Sequence, residues 1–542
     1  MESEFAVGKQ LLMKVLVADP ISESGLKYLE SEPNIEVLNA TSVQKSELLK
    51  LAIDVDAIIV RSETVVSADL LEVASELKVV GRAGVGLDNI DLEEATQRGV
   101  VVMNTPEGNT VATAELTMTH LLCSARPITQ AYMKLNAGEW ERKNFSGSEL
   151  RGKTLGIIGM GRIGGEVAKR AKGFDMRIIG YDPHVTEDSI NCLEVDRVEL
   201  KELFRRADFV TVHIPLTDSS RHLIDARALD QMKEGVRIIN CARGGIVKEA
   251  DLVKALRSGK VAAAGMDVFE KEPLPKDSEL RNCPNLVISP HLGASTEEAQ
   301  ESVGLEISKA VTEMLNGGII RNAVNMPVMD RRTFMIIKPY LDLGSRLGTV
   351  LQQIVPERIE RLKIVYSGRL NDLNLVPLTR SIQCGFLRRI SGRKINEVNA
   401  PTYMRRLGIT VDFVVSSSGT DYTELVRLEA HDVLQNLHSV EGTLMGTNQN
   451  PRIVGVNGRA IEVPLEGNLL FLENKDRPGM IGYIGTLLGE SWINIGDMSL
   501  SRNSIGGLAL TTLVLDSVPP GEVLGVIEGH DAIRKLNFVE VD

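Results

Sequence analysis

The chain has 542 residues, of which 43% are hydrophobic and 25% charged, and its formal net charge is −12 at pH 7. Because domains usually hold about 100–200 residues, this length predicts several domains, three or four, rather than one core. The acidic balance argues against the clustered basic surface of nucleic-acid-binding proteins. No stretch approaches the about 20 apolar residues of a membrane span.

The five cysteines are scattered along the sequence and form no CxxC pair. This pattern is typical of reduced thiols rather than of a disulfide framework or a metal site. The N-terminal stretch MESEFAVGKQLLMKVLVADP carries early acidic residues and lacks the pattern of a secretory leader. We therefore expect a cytoplasmic protein with no bound metal.

Two series of short apolar runs alternate with helical patterns along the first half of the chain. Such alternation is typical of parallel strands that helices cover on both faces. The first series has strand-like runs at 14–18, 35–38, 57–61, 78–82 and 100–104. A long helical pattern, interrupted by Pro127, leads into the second series, with runs at 154–161, 177–182, 209–215, 236–242, 262–269 and 285–289.

The predicted organisation is an α/β fold in which the second doubly wound unit is inserted into the first. A helix that begins near Ser295, capped by that residue, and runs to about Leu315 is expected to return to the first unit. The predicted boundaries are 1–110 with 297–325 for the first unit and 111–296 for the inserted one. An α+β unit is expected over 326–465, and a ferredoxin-like βαββαβ unit over 466–542.

The sharpest motif is the glycine-rich turn in TLGIIGMGRIGGEVAKRAKGFDMRIIGYDP. Gly159, Gly161 and Gly164 fit G-x-G-x-x-G between an apolar strand and a helix, and Asp182 ends the next strand. The helix start offers free N–H groups to phosphates, and Arg162 lies beside them. The Asp182 carboxylate suits ribose hydroxyls and repels a 2′-phosphate, so the expected cofactor is NAD rather than NADP.

Three polar side chains of different kinds follow three predicted strands of the same unit. Arg243 lies in NCARGGIV, Glu272 in DVFEKEPLP and His291 in SPHLGAST. Ligands of open α/β sheets bind beyond the carboxyl ends of the strands. Histidine can exchange a proton near neutral pH, a carboxylate can orient it, and a guanidinium can hold a substrate carboxylate. The pattern predicts a dehydrogenase site.

The segments GMGRIGGEVA, NCARGGIV, MDVFEKEPLP and SPHLGAST resemble the D-2-hydroxyacid dehydrogenase family, and the resemblance runs over residues 14–325. It implies a discontinuous substrate domain, an inserted NAD domain, and the catalytic set Arg243, Glu272 and His291. Glu270 is set aside because it lies before the Glu-Pro pair of the family pattern. Further implied cofactor contacts are Val85, Ile163, Ile214, Cys241, Asp267, Gly293 and Ala294.

The segments IIVRSETVV, VVGRAGVGLDNID and NTPEGNTVATAEL resemble the branch of that family that oxidises 3-phospho-D-glycerate to 3-phosphooxypyruvate with NAD. This branch opens the phosphorylated route to L-serine. The resemblance implies that Arg61, Arg82 and Asn109 contact the substrate together with Arg243 and His291. It also leaves room for reduction of 2-oxoglutarate to 2-hydroxyglutarate.

The last 75 or so residues resemble an ACT-type sensing domain, on the segment LENKDRPGMIGYIGTLLGESWINIGDMSLSR. Asn474, Asp476, Gly479 and Asn494 stand at positions that bind an amino-acid effector, usually L-serine, between paired domains. Asn474 replaces a residue that is often His or Tyr in relatives. Residues 326–465 resemble the intervening domain of the long-chain members of the same branch, which implies a homo-oligomer, expected to be a tetramer.

Three alternatives remain open from the sequence alone. The protein could be another 2-hydroxyacid dehydrogenase, such as a glyoxylate or hydroxypyruvate reductase, although the long C-terminal half and the paired arginines disfavour this. It could be an NAD-sensing protein of the kind found among transcriptional corepressors, which keep the same Arg–Glu–His set. The last unit could also serve assembly alone.

Overall fold

The computed structural model describes residues 12–41, 43–184, 195–355, 358–390, 394–417 and 421–541. Four sheets organise these residues, two of them all-parallel in the first half and two that contain antiparallel pairs in the second half. The α/β fold class predicted from the sequence is confirmed. Cys192 and the N-terminal stretch before Leu12 lie outside the described residues.

The first unit is a five-stranded parallel sheet in the order β2-β1-β3-β4-β5. Its central strand AIIV is entirely buried, as expected for a strand that helices cover on both faces. The elements are β1 Met13–Val17, α1 Glu23–Ser31, β2 Ile35–Asn39, α2 Lys45–Leu51, β3 Ala57–Val60, α3 Ala68–Val73, β4 Val79–Arg82, α4 Leu92–Arg98 and β5 Val101–Met103.

The second unit is a seven-stranded parallel sheet in the order β12-β11-β10-β9-β6-β7-β8. The short strand β8 is absent from the sequence prediction. The elements are α5 Thr110–Ala125, α6 Ile128–Asn136, β6 Thr154–Ile158, α7 Arg162–Lys172, β7 Arg177–Tyr181, β8 Asp196–Arg197, α8 Leu200–Arg206, β9 Phe209–Val212, α9 Ala226–Gln231, β10 Val236–Asn240, α10 Glu249–Ser258, β11 Val261–Met266 and β12 Leu286–Ile288, with 3-10 turns at Arg142–Asn144 and Glu279–Asn282.

Helix α11, Glu297–Leu315, returns to the first sheet. Its Ile307 and Val311 side chains lie against Gly81 of β4, where an added Cβ would meet them at 2.8 and 2.7 Å. The prediction that Ser295 caps this helix is wrong. The N-cap is Thr296, whose hydroxyl accepts from the Ala299 amide at 3.1 Å, so the loop before the helix is one residue longer than expected.

The third unit is a six-stranded sheet in the order β14-β13-β15-β16-β17-β18, in which β13 and β14 alone run parallel. A hairpin between β17 and β18 turns at Asn457-Gly458, with φ of 49° and 75° at these two residues. The elements are α12 Arg331–Ile354, β13 Ile359–Gly368, α13 Val376–Leu387, α14 Ala400–Arg406, β14 Thr410–Ser416, β15 Glu424–Asp432, β16 Leu437–Met445, β17 Asn450–Val456 and β18 Arg459–Pro464, with a 3-10 turn at Arg369–Asp372.

The fourth unit is a four-stranded antiparallel sheet in the order β20-β21-β19-β22, with the predicted ferredoxin-like βαββαβ succession. Its elements are β19 Gly467–Lys475, α15 Met480–Glu490, β20 Ile495–Arg502, β21 Leu508–Leu515, α16 Gly521–Glu528 and β22 Ile533–Val541. None of the helices in the described ranges is long and apolar enough to cross a membrane.

Candidate active site

A cleft of about 1170 Å³ lies between the first and second units. It opens where the parallel strands of both sheets end, which is where ligands of such sheets bind. Most of the side chains singled out from the sequence line this one cleft: Arg61, Arg82, Val85, Asn109, Gly161, Arg162, Ile163, Ile214, Cys241, Arg243, Glu272, His291, Gly293 and Ala294. Two distant segments of the chain therefore supply a single site.

His291 and Glu272 form an ion pair in this cleft, with 2.7 Å between His291 Nδ1 and a Glu272 carboxylate oxygen. The hydrogen bond to Glu272 raises the pKa of His291 above its usual value. Burial alone would raise the pKa of Glu272, but hydrogen bonds from His291 and the Phe269 amide outweigh it and lower that pKa. With Nδ1 occupied, the other ring nitrogen, Nε2, is the one available to a ligand.

Replacing Glu272 with glutamine is expected to lower the pKa of His291 toward its ordinary range, because the neutral amide removes the attraction that favours the imidazolium. His291 would then lose its proton at a lower pH than in the wild type. The midpoint can be followed by NMR of the imidazole C–H resonance. Glu270→Gln is the matched control, since Glu270 faces His222 instead, at 3.6 Å. An unchanged His291 midpoint in the Glu272 variant would contradict the assigned pairing.

Arg243 follows β10 and reaches across the cleft to the first unit. Its Nε lies 3.2 Å from an Asp88 carboxylate oxygen, and its Nη1 donates to the Ala242 carbonyl at 2.8 Å. The guanidinium lies directly over Gly86, where an added Cβ would sit 2.2 Å from Nη2. Position 86 therefore has to be glycine for Arg243 to hold this place between the two units.

Arg61 and Arg82 bring two more guanidinium groups to the same cleft from the first unit. Arg82 Nε donates to Asn89 Oδ1 at 2.8 Å, and Asn89 donates in turn to the Arg61 carbonyl at 2.7 Å. Burial, and next the charge of Arg243, lower the pKa of Arg82 to about 10. Arg82 stays charged near neutral pH, so Arg61, Arg82 and Arg243 are three of the cations that face this cleft, and they favour a ligand with more than one negative charge.

The glycines of the dinucleotide motif each have a distinct geometric reason. Gly159 has a φ of 96°, and an added Cβ there would lie 2.5 Å from the His213 carbonyl oxygen. A Cβ on Gly164 would lie 2.0 Å from the Gly159 carbonyl oxygen, so the first turn of α7 packs against the strand end only with glycine. Gly161, at the N-cap of α7, has open space around its Cβ position. This open helix start fits a pyrophosphate.

Asp182 follows β7, and its carboxylate accepts from the Met160 amide at 2.9 Å and from the His184 amide at 2.8 Å. Each oxygen keeps a lone pair for a further donor, which fits ribose hydroxyls beside the motif. Arg162 lies at the start of α7, 3.4 Å from a Glu107 oxygen of the first unit.

Four of the predicted cofactor residues, Gly159, Gly164, Asp182 and Asp267, are not among the residues that line the cleft. Asp267 is fully buried, and its carboxylate accepts from the amides of Leu292 and Gly293 at 2.7 and 2.9 Å. Cys241 lies on the lining, where burial raises the pKa of its thiol to about 12. The thiol is therefore neutral and acts as an apolar wall.

The predicted effector residues lie in the fourth unit, remote in sequence from the cleft. Asn474 is buried, and its amide donates to the Lys475 carbonyl and accepts from Thr511, both at 3.0 Å. Asp476 accepts from the Gly506 amide at 3.1 Å. Asn494 donates to Asp516 at 2.7 Å, and Gly479, with a φ of 96°, caps α15.

Sequence reasoning missed several residues that build the cleft. Asp88 faces Arg243 and Glu107 faces Arg162, and Asn89 orients Arg82. Asn89 stands within the quoted VVGRAGVGLDNID stretch, and its position after a strand end was the signal that could have identified it. His120 and Thr113 lie beneath the His291 loop on α5, and no feature of their local sequence indicates this contact.

Two protein-family models match this chain. The NAD binding domain of D-isomer specific 2-hydroxyacid dehydrogenases matches residues 118–293. The D-3-phosphoglycerate dehydrogenase intervening domain matches residues 336–457.

Among similar curated proteins, the D-3-phosphoglycerate dehydrogenase of Methanocaldococcus jannaschii is 41% identical over 98% of this chain and 100% of that protein. The D-3-phosphoglycerate dehydrogenase of Bacillus subtilis is 38% identical over 93% of this chain and 95% of that protein. Among solved structures, the TT0316 protein of Thermus thermophilus is 35% identical with a TM-score of 0.53, covering 58% of this chain and 100% of that one.

The D-lactate dehydrogenase of Escherichia coli has a TM-score of 0.52 at 28% identity, again over 58% of this chain and 100% of that one. The structural likeness therefore covers just over half of this chain, whereas the sequence likeness to curated relatives covers nearly all of it. The chain belongs to the D-3-phosphoglycerate dehydrogenase family of D-isomer specific 2-hydroxyacid dehydrogenases.

Proposed function

We propose that this protein oxidises 3-phospho-D-glycerate to 3-phosphooxypyruvate with NAD, the reaction that opens the phosphorylated route to L-serine. The observation that carries the proposal is the composition of the cleft: the His291–Glu272 pair lies in the same cavity as Arg61, Arg82 and Arg243. A proton acceptor and cations for a phosphate and a carboxylate are what this substrate requires.

In the proposed oxidation, bound NAD supplies the hydride acceptor. His291 Nε2 takes the proton of the substrate 2-hydroxyl, because Nδ1 is held by Glu272. Glu272 stabilises the imidazolium that forms, which its effect on the pKa of His291 supports. Arg243 binds the α-carboxylate and polarises the carbonyl oxygen that develops at C2.

The negative charge of the substrate phosphate is proposed to be neutralised by side chains of the first unit. Arg61 and Arg82 are proposed to hold the phosphate, with Asn109 beside them at the start of α5. The buried Oδ1 of Asn109 has no hydrogen-bond partner within the described part of the chain, which fits a contact that a ligand completes. Asn89 keeps Arg82 in place through its 2.8 Å bond, so the phosphate meets a preorganised cation.

The proposed function is tested by steady-state rates over a panel of acids. With NAD, 3-phospho-D-glycerate is expected to give the highest kcat/KM. In the reverse direction with NADH, 2-oxoglutarate is the expected second substrate, because its distal carboxylate can take the place of the phosphate between Arg61 and Arg82. Higher kcat/KM for hydroxypyruvate or glyoxylate than for the phosphorylated keto acid would favour a simple 2-hydroxyacid reductase instead.

The cofactor residues are proposed to bind NAD in the arrangement that the open helix start and the strand ends define. Gly161, Arg162 and Ile163 would hold the phosphates, and Asp182 would hold the adenosine ribose. Cys241, Gly293 and Ala294 would face the nicotinamide, with Asp267 supporting the Gly293 loop from beneath. Val85 and Ile214 contribute apolar walls on the two sides of the cleft.

Replacing Asp182 with asparagine is expected to reduce the preference for NAD over NADP about 10- to 100-fold, the equivalent of one charged hydrogen bond. The amide oxygen can still accept from the Met160 N–H, although the bond from the His184 N–H is lost, and the repulsion of a 2′-phosphate is removed. The ratio of kcat/KM for the two cofactors measures the effect. An unchanged ratio would mean that Asp182 does not contact the ribose.

We propose that the fourth unit is an ACT regulatory domain that binds L-serine through Asp476, Gly479 and Asn494. The open space above Gly479, at a helix start, supports a carboxylate site there. Asn474 is the weakest of the four for this role, since both of its polar atoms already have partners inside the sheet.

L-serine is expected to lower the rate of NADH formation, and D-serine at equal concentration is expected to leave it unchanged. Asn494→Ala should weaken the inhibition, while Asn537→Ala, on the same sheet but bonded to the Ile354 carbonyl, serves as the control. The measurement is initial rate against serine concentration, with thermal shift as a second readout. No response to L-serine by either readout would leave the unit with a role in assembly alone.

We further propose a cytoplasmic homotetramer. All the cysteines in the described ranges are free thiols, which supports a reducing compartment. Helix α6 and the segment after it carry large exposed apolar side chains, and α6 has no buried residue at all. Tyr132, Met133 and Trp140 are 67%, 70% and 82% exposed, an apolar surface that supports contact with a second copy.

A further inference from the structure

Helix α5 presents a row of buried polar side chains to the ends of β10, β11 and β12. Thr113, Thr117 and His120 are spaced by four and three residues, so they lie on one face of the helix. All three are almost completely buried, and most of the other buried residues of this helix are small or apolar. Polar groups at such depth are retained only with hydrogen-bond partners, which directs attention to what they touch.

His120 is the titratable residue of this row. Its Nε2 lies 2.7 Å from the hydroxyl of Ser289, and that hydroxyl donates to a carboxylate oxygen of Asp267 at 2.6 Å. Because the hydroxyl has one proton and gives it to Asp267, it must accept from His120, so Nε2 carries the proton. Burial lowers the pKa of His120, which keeps the ring neutral, and the hydrogen bond to Ser289 sets the tautomer.

Asp267 in turn is hydrogen-bonded to the loop that carries His291. Its carboxylate accepts from the amides of Leu292 and Gly293 at 2.7 and 2.9 Å, and its backbone carbonyl accepts from the His291 amide at 2.9 Å. Thr113, the first residue of the same row on α5, donates to the Gly293 carbonyl at 2.9 Å. The loop is therefore held on both sides of His291 from beneath the cleft.

His291 needs such support because its backbone is in the left-handed region, with a φ of 53°. A non-glycine residue is strained there and persists only where surrounding contacts hold it. If the hydrogen bonds beneath the loop were lost, the backbone at this position could relax and move the imidazole away from the ligand.

A glycine of the neighbouring strand leaves the space that the His120 ring occupies. Gly265 of β11 faces the ring, and a Cβ there would lie 2.7 Å from His120 Cβ and 2.9 Å from His120 Nδ1. Any larger residue at 265 would displace the imidazole. Nδ1 has no hydrogen-bond partner among the described residues, so Ser289 is the polar contact that accounts for this buried histidine.

We propose that His120 is a positioning residue for the proton-transfer step: through Ser289 and Asp267 it holds the loop that places His291 against the substrate hydroxyl. The proposal rests on the oxidation proposed above and adds to it a residue, His120, that touches neither substrate nor the reacting atoms. The alternative is that His120 only fills the core, in which case its volume matters and its Nε2 proton does not.

Three substitutions at position 120 separate these possibilities. Glutamine places its amide nitrogen near the position of Nε2, asparagine places it near Nδ1, and leucine fills the space with no donor. The rate constant of the first turnover is measured as the pre-steady-state phase of NADH formation by stopped-flow absorbance, with NAD and 3-phospho-D-glycerate both saturating and in excess over enzyme. A partly unfolded sample loses amplitude but not rate constant, so the rate constant isolates the geometry of the site.

His120→Leu and His120→Asn are expected to lower this rate constant about 10- to 100-fold, as small displacements of a reacting group do. His120→Gln is expected to stay within about three-fold of the wild type, since it restores the donor to Ser289. The KM for phosphoglycerate should hardly change in any of them, because Arg61 and Arg82 belong to the other unit.

Two further variants keep the test decisive if leucine at 120 impairs folding. Ser289→Ala removes the middle of the chain of hydrogen bonds and is expected to match His120→Leu, and the double variant should be no slower than either single one. Gly265→Ala displaces the ring without removing any polar group and should also slow the first turnover. Ser124→Ala is the control, a buried serine of α5 whose hydroxyl bonds only to the Leu121 carbonyl of its own helix.

A wild-type rate constant in His120→Leu and Ser289→Ala, with any loss confined to amplitude, would overturn the proposal. So would equal rate constants for the glutamine and asparagine variants. Failure of the proposed function gives a different result, because the wild-type enzyme itself would then form no NADH from 3-phospho-D-glycerate.

Discussion

Replacing His291 with asparagine is expected to lower kcat/KM for phosphoglycerate oxidation about 10³-fold, within the range that a positioned acid–base group contributes. Asparagine cannot accept the hydroxyl proton, but it tolerates the left-handed backbone that position 291 adopts, at a φ of 53°. Alanine would add backbone strain to the chemical loss. NAD affinity, measured by fluorescence titration, should change little.

His222→Asn is the matched control for this experiment. His222 also has a left-handed backbone, with a φ of 54°, and also faces a glutamate, Glu270, at 3.6 Å, but it lies off the lining of the cleft. Its substitution should leave kcat/KM within about two-fold, as for most surface changes. Comparable losses in the two variants would show that the effect is structural and that His291 does not exchange the proton.

Replacing Arg243 with alanine is expected to lower kcat/KM about 10²- to 10³-fold, the loss typical when one donor to a developing oxyanion is removed. The guanidinium is proposed to bind the substrate carboxylate and the C2 oxygen together. Arg243→Lys keeps the charge but not the two-pronged geometry, so it should recover only part of the rate. Kinetics with saturating NAD over a range of phosphoglycerate concentrations measure both variants.

Arg257→Ala, on the surface of the same unit and paired with Glu279, serves as the control for the Arg243 variants. Full activity of Arg243→Lys would mean that a positive charge alone is enough for the rate and that the two-pronged geometry of the guanidinium contributes nothing. Full activity of Arg243→Ala would remove this residue from the site.

The sequence could place Arg243, Glu272 and His291 of the candidate site close together because their positions follow from the fold. Arg243, Glu272 and His291 each come shortly after β10, β11 or β12, three adjacent parallel strands. Once a doubly wound sheet is predicted, the carboxyl ends of its strands must share one edge. The glycine motif is equally local, since strand, turn and helix are contiguous in the chain. The predicted family, which rests on these motifs, is confirmed.

What the sequence did not reveal are contacts between segments that are distant in the chain. His120 meets Ser289 across 169 positions, and no spacing rule links a mid-helix histidine to a loop that far away. Asp88 reaches Arg243 only because two separate sheets face each other across the cleft. The sequence predicted that Asn474 binds an effector. In the structure the pairing of β19 with β21 turns its side chain inward, where it bonds to Thr511.

The central claim is that three guanidinium groups and the His291–Glu272 pair act together on a phosphorylated hydroxyacid. The most direct test is NADH formation by the wild-type enzyme with 3-phospho-D-glycerate and with D-glycerate, which differ only in the phosphate. The account predicts stoichiometric NADH and 3-phosphooxypyruvate from the first, and kcat/KM for the second lower by about 10²-fold or more, because the cations that await the phosphate are left unpaired. Equal kcat/KM for the two acids, or no NADH from the phosphorylated one, would contradict it.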